Sequence, residues 1–342
     1  MKTWVIIAAA IFLAGTAFLL GPPAPGGHPT PLELQVPKGW PKPYDIFRNN
    51  PLTEEGFQLG RRLFYDGRLS RDSNFPCSSC HQQFAAFATY DHDLSHGYNN
   101  QFTTRNTPPL FNLAWAPYYH WDGGINHLEV QPLFPLTAPN EMAMSLDSVL
   151  ARLRRDSAYP RMFQAAFGTP EINSQRLLRA LAQFTGSLVS ADAKYDRVLR
   201  GEATFTSGEE RGYQLFKARC NTCHREPLFT DYSFRNNGLD MNGFLKDSGR
   251  MRITGDPADS LRFRVPSLRN VVVTFPYMHD GRIYSLYQVV DHYRSGIVQG
   301  PTLDSSLRGG IPFTDREKED LVLFLHALTD TAFLHDKRFS QP

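Results

Sequence analysis

The sequence predicts an all-α, loop-rich fold of two domains related by internal duplication. Apolar residues recur at helical spacing over long stretches, while strand patterns are scarce. Gly and Pro each supply 25 of the 342 residues, which calls for extensive connecting loops. Two well-separated segments also repeat one order of motifs.

Each copy opens on a predicted helix with acidic residues at its start, Glu54 and Glu55 in one and Glu209 and Glu210 in the other. Negative charge is favoured at a helix N-terminus, and Ser207 with Glu210 reads as a capping box. The helices close on Gly60-Arg-Arg-Leu63-Phe64 and Gly212-Tyr-Gln-Leu215-Phe216. Then come Cys77-Ser-Ser-Cys80-His81 and Cys220-Asn-Thr-Cys223-His224, the first after a longer polar loop. Asn106-Thr-Pro-Pro-Leu-Phe-Asn112 answers Arg264-Val-Pro-Ser-Leu-Arg-Asn270. Finally a Pro-Tyr-x-His element and an Asp-Gly pair recur, at Pro117 to Gly123 and Pro276 to Gly281, which sets Met278 opposite Tyr119.

The remaining elements are helical. Ser145 to Phe167 and Ser174 to Val189 carry apolar residues at helical spacing. Thr314 with Glu317 caps a last helix running through Leu328. Val271-Val-Val-Thr274 is the best strand signal, and it is short. The two domains are expected over residues 46–200 and 201–342.

Hydrophobic residues make up 41% and charged residues 20%, a soluble globular balance. A net charge of +2 gives no case for nucleic acid as a partner. Met1-Lys2-Thr3 precedes an apolar run from Trp4 to Leu20, which reads as a signal peptide or a retained N-terminal anchor over residues 1–20. Either places the body outside the cytoplasm, soluble or tethered. Residues 21–45 are Pro-rich and read as an extended tether.

All four cysteines fall in the two C-x-x-C-H motifs. That pattern is haem c attachment: two thiols add to the haem vinyl groups, and the following His ligates the iron. Cys77, Cys80 and His81 would hold one haem, and Cys220, Cys223 and His224 another. The fold class is therefore two mostly helical cytochrome c-like domains. Two haems support either pure electron transfer, as a non-catalytic dihaem carrier, or peroxide chemistry at one open iron.

The intervening sequence, His120 to Gln131 followed by Glu141-Met142, is long, polar and aromatic for a simple carrier. With Arg105-Asn-Thr-Pro, Trp121-Asp-Gly, Leu128-Glu-x-Gln131 and Leu268-Arg-Asn-Val, it resembles the bacterial dihaem cytochrome c peroxidase family. That family includes MauG-like relatives that mature the tryptophylquinone of methylamine dehydrogenase. The resemblance spans residues of about 45–335. It implies a peroxidatic first haem and an electron-receiving second haem.

By this resemblance Glu141 is the acid–base carboxylate, Gln131 orients peroxide and Trp121 lies between the haems as a relay. His96 matches a distal ligand that some members place on the first iron; His92 is its rival. Tyr293 stands where typical peroxidases carry a ligating Met on the second iron, as in the quinone-forming relatives. Met278 and His292 are rivals there. The family also holds Ca²⁺ between its domains, for which Asn112 by its side chain and Arg264 and Pro266 by their carbonyls would be the ligands.

The expected activity is reduction of hydrogen peroxide in the periplasm with electrons from a small cytochrome c or cupredoxin. The alternative is peroxide-driven oxidation of a protein substrate's side chain, which the Tyr293 position favours. The family implies a homodimer.

Overall fold

The computed structural model describes residues 28–342. The expected export segment and residues 21–27 lie outside the described residues. The rest of the expected tether is a strap laid on the body. Leu32 N–H donates to the Leu52 carbonyl at 3.0 Å, and Tyr44 N–H donates to Ala114 at 2.8 Å. Trp40 packs edge-on against Trp115, ring centroids 5.0 Å apart.

Twelve α-helices are present among the described residues: α1 (Glu54–Phe64), α2 (Cys77–Cys80), α3 (Leu133–Thr137), α4 (Leu146–Arg155), α5 (Ala158–Phe167), α6 (Ser174–Gly186), α7 (Lys194–Leu199), α8 (Ser207–Arg219), α9 (Met251–Thr254), α10 (Leu286–Asp291), α11 (Asp315–His326) and α12 (Thr331–Leu334). The sheet is a single antiparallel pair of two-residue strands, β1 (Phe234–Arg235) and β2 (Phe263–Arg264). The helix-rich expectation holds, with four local corrections.

Ser145 to Phe167 forms two helices rather than one. Pro160 has no N–H to give the Asp156 carbonyl, so the first helix ends and Asp156 starts the next by accepting Ala158 N–H at 2.8 Å. The capping box of α8 lies one residue earlier than expected, on Thr206 and Glu209. Val271 to Val273 is a short 3-10 turn, not a strand, because Asn270 ahead of it is left-handed at φ 57°. The fourth correction concerns the repeated hairpin. Its register is set by Tyr119 N–H to Ile125 (2.7 Å) and Tyr277 N–H to Ile283 (2.6 Å). Met278 therefore corresponds to His120, not Tyr119, and His279 corresponds to Trp121. Both His120 and Met278 have positive φ, at 63° and 75°.

Two apolar clusters form. The first gathers Leu59, Leu63 and Phe64 of α1, Val149 and Leu153 of α4, Tyr159 and Phe163 of α5, and Leu177 and Phe184 of α6. The second gathers Phe216 of α8, Val290 of α10, and Leu321 and Phe324 of α11. Each fully buried Leu or Phe contributes about 1.5–3 kcal/mol. One close helix crossing organises each cluster. A Cβ at Gly60 would collide with the Ala180 carbonyl of α6, and one at Gly212 with the Asp320 carbonyl of α11. Two segments cross the expected boundary at residue 200. Tyr195 belongs to the second cluster, while Phe333, Leu334 and Phe339 return to the first. Arg61 holds that return by donating to the Ser340 carbonyl at 2.6 Å.

Candidate functional site

The phenylalanine closing α1 and the short α2 bring the first C-x-x-C-H to the wall of a cavity. Cys77, Cys80 and His81 line it together with apolar Phe64, Leu110, Leu136 and Leu181. His81 Nδ1 lies 2.7 Å from the Phe87 carbonyl. A carbonyl can only accept, so Nδ1 carries the hydrogen and Nε2 keeps its lone pair for a metal. Burial pushes the His81 pKa down to about 4, which keeps the ring neutral, and pushes the Cys77 thiol up to about 12. Two thiols and a neutral, oriented imidazole on an apolar cavity fit a covalently held haem.

Three more of the expected residues share this lining. Gln131, His96 and Glu141 line this same cavity. The loop of His96 is pressed onto that of Glu141. Tyr98 N–H donates to the Glu141 carbonyl at 2.7 Å, and a Cβ at Gly97 would strike the backbone of Asn140 and Glu141. Burial raises the Glu141 pKa above the ordinary carboxylate value. His96 Nδ1 is 2.6 Å from Asn100 Oδ1 and its ring leans on Phe102, leaving Nε2 as its free nitrogen. His92 is exposed, its Nδ1 3.2 Å from the Tyr90 carbonyl.

Trp121 is buried between the halves and is not part of the cavity wall. Its Nε1–H donates to the Asn106 carbonyl at 2.8 Å, and Asn106 N–H donates to the His279 carbonyl at 2.8 Å. Arg105 braces the junction through Asp122 (2.5 Å) and Asp247 (2.6 Å). The His279 ring stacks on Phe263 with centroids 3.7 Å apart.

The second motif follows α8 directly. His224 Nδ1–H is shared between the carbonyls of Phe229 (3.2 Å) and Pro266 (3.1 Å), so its Nε2 is also free, and burial lowers its pKa. Cys220 is likewise pushed up to about 12 by burial. Tyr293 sits in a π-helical turn, His292–Gly296, that continues α10. Such widened turns re-aim side chains and recur at functional sites. Tyr293 lies near Cys220, Cys223 and Asn237; burial raises its phenol to about 12.

Both rivals also meet Asn237. His292 Nε2 is 3.0 Å from the Asn237 carbonyl, and Met278 Sδ accepts from Asn237 Nδ2 at 3.3 Å. Sequence reasoning missed Asn237, which sits among all three; nothing in its local pattern singles it out.

The Asn112 side chain, expected as a calcium ligand, meets the backbone of Ser190. Its Oδ1 accepts Ser190 N–H at 2.9 Å and its Nδ2 donates to the Ser190 carbonyl at 3.0 Å. Each end of the amide makes one backbone hydrogen bond, which leaves the oxygen a second lone pair. No cluster of three or more His, Cys, Asp or Glu suited to a metal occurs among the described residues.

These features define a c-type dihaem protein with one haem-attachment cavity that is mainly apolar and carries a few polar side chains. Residues 54–204 match the family of di-haem cytochrome c peroxidases. The chain is 39% identical to methylamine utilization protein MauG of Methylorubrum extorquens, over 82% of this chain and 79% of that one. It is 34% identical to cytochrome c551 peroxidase of Nitrosomonas europaea, over 68% and 71%. Its fold superposes on the crystal structure of a MauG-like protein associated with microbial copper homeostasis, with a TM-score of 0.83 and 38% identity, over 91% of this chain and 99% of that one. The chain belongs to the di-haem cytochrome c peroxidase family. It is an oxidoreductase that carries two haems c.

Proposed function

We propose that this peroxidase reduces hydrogen peroxide to water in the first cavity, fed by electrons entering at the second haem from a small exported cytochrome or cupredoxin. One observation carries the assignment: Glu141, Gln131 and His96 line the cavity that also holds Cys77, Cys80 and His81. When bound, the haems supply the redox chemistry. Glu141 moves a proton between the two peroxide oxygens, for which a carboxyl with a raised pKa is suited. Gln131 orients peroxide by hydrogen bonding, and His96 closes or opens the far face of the first iron. Trp121, buried between the halves, relays electrons.

A second reading, peroxide-driven oxidation of a protein side chain, is favoured by Tyr293 in its widened turn beside Cys220 and Cys223. Steady-state peroxide turnover with reduced cytochrome c separates the two. Rapid, sustained consumption of both supports peroxide reduction. Negligible turnover in a preparation with both haems intact overturns it in favour of protein oxidation.

Further proposals concern organisation. The paired glycine crossings and matching hairpins support two duplicated cytochrome c-like units, 46–200 and 201–342, with α12 and the C-terminus docked on the first. We place the protein in the periplasm as a homodimer. Among the described residues no helix is long and apolar enough to cross a membrane. A calcium between the units would rest on the Arg264 and Pro266 carbonyls and the Asn112 side chain.

A further inference from the structure

Arg264, the second residue of β2, was singled out above only for its carbonyl. Its backbone N–H donates to the Trp121 carbonyl at 2.7 Å, and its Nε–H donates to the His120 carbonyl at 3.2 Å. That Nε–H bond is the only side-chain hydrogen bond it makes to a described residue. The guanidinium lies 5.8 Å from the centre of the Tyr232 ring, with Tyr119 also near, and burial pushes its pKa down. Neutral phenols surround it; no carboxylate lies within ion-pair distance among the described residues.

Neighbouring arginines are treated differently. Arg105 meets Asp122 and Asp247, Arg269 meets Asp196, and Arg282 meets Asp280 and Asp240. Arg264 keeps its charge in any environment proteins offer. A guanidinium withdrawn from bulk water without an anion is strongly disfavoured. Arg264 is half-buried, and no described residue accepts a hydrogen bond from its terminal nitrogens, which leaves them able to meet an anion.

The location indicates which anion. Two residues on, the Pro266 carbonyl holds His224 Nδ1–H. Through the His120 main chain, the guanidinium adjoins the residue whose ring approaches Gln131 of the first cavity. Arg264 therefore sits between the two haem-attachment sites, and haem brings two carboxylates at one edge. We propose that Arg264 is a propionate-binding residue, its Nη–H groups pairing with a carboxylate of a covalently held haem c at this junction. A planar fork of donors matches a carboxylate in two-point geometry.

The test uses the holoenzyme, with Arg264→Gln and Arg264→Lys compared by spectroelectrochemistry of both haems. Removing a cation beside a haem favours its oxidised state. Arg264→Gln is expected to lower one midpoint potential by at least a tenfold change in the oxidation equilibrium, 59 mV for one electron. Arg264→Lys should shift it less. Unchanged potentials at both haems in both variants, with two haems per chain, overturn the proposal.

If Arg264→Gln does not accumulate, infrared redox-difference spectra of the unaltered protein carrying ¹³C-propionate haem take its place. Carboxylate bands displaced from those of water-exposed haem propionate, and moved again in Arg264→Lys, support the pairing; bands identical to the exposed group overturn it. A saturable shift in potential on adding acetate or phosphate at constant ionic strength would mean that an exchangeable anion occupies the site, which also overturns it.

Discussion

The side-chain amide nitrogen of Gln131 stands 3.5 Å from Nε2 of His120. Burial lowers the His120 pKa, so its ring is neutral and Nε2 accepts, while its ring edge rests on Phe134. This contact restrains the Gln131 amide, which lines the cavity. His120→Leu frees that amide to rotate. We expect kcat/KM for peroxide to fall about tenfold, the size of one net hydrogen bond, with haem content unchanged. His120→Gln, which restores an acceptor, should recover most of it. Stopped-flow peroxide kinetics make the comparison; equal kcat/KM in all three proteins refutes the coupling.

Replacing Glu141 with Gln should slow the peroxide reaction by about 10²–10⁴-fold, the usual contribution of a positioned proton carrier. The same variant has a stability signature. Burial raises the Glu141 pKa in the folded protein. The folded state therefore tolerates the neutral carboxyl well below the unfolded pKa and loses stability as pH rises through the folded pKa. Glu141→Gln should thus melt above the parent protein at pH 7, and the gap should shrink toward pH 4. A gap that widens on acidification contradicts the assignment.

Arg269 and Asp196 form a bidentate pair, both nitrogen–oxygen distances 2.8 Å, with the arginine side chain fully buried. The guanidinium also lies under Trp40 of the strap at 4.6 Å. Arg269→Met should cost about 3–5 kcal/mol by leaving Asp196 buried without its partner. The double change with Asp196→Leu should recover a large part. Denaturant melts of the parent protein and these two variants measure this.

Gly212→Ala introduces a methyl group where α8 meets the Asp320 carbonyl. Alanine favours an isolated helix by about 1 kcal/mol over glycine, yet the crossing should lose about 1–3 kcal/mol through overpacking. A variant more stable than its parent would show that the two helices can separate cheaply.

Legibility in the sequence followed how local each signal is. The haem motifs were readable because thiols and imidazole lie within five consecutive residues. Helix starts at Glu54 and Thr314 were readable because acidic first turns and a capping pair are local. Glu141, Gln131 and His96 were singled out only by resemblance; their meeting on one wall depends on the contact between residues 97 and 140–141. The hairpin register was misaligned because matching histidines is a sequence habit, whereas the fold matches backbone bonds at Tyr119 and Tyr277. Asn112 was singled out for calcium only by resemblance; its contact with Ser190 lies 78 residues away in sequence. Arg264 carried no signal at all, since an absent carboxylate neighbour exists only in three dimensions.

The return of Phe333, Leu334 and Phe339 to the first cluster bears on the order in which the chain becomes structured. Residues up to about 200 leave the ribosome, and any export channel, well before the aromatic residues that complete their packing. Haem attachment at Cys77 and Cys80 can thus begin on an unfinished scaffold, whose closure waits for the last few residues. A premature stop before Thr331 would spare both attachment motifs yet strand the first of them in an open core.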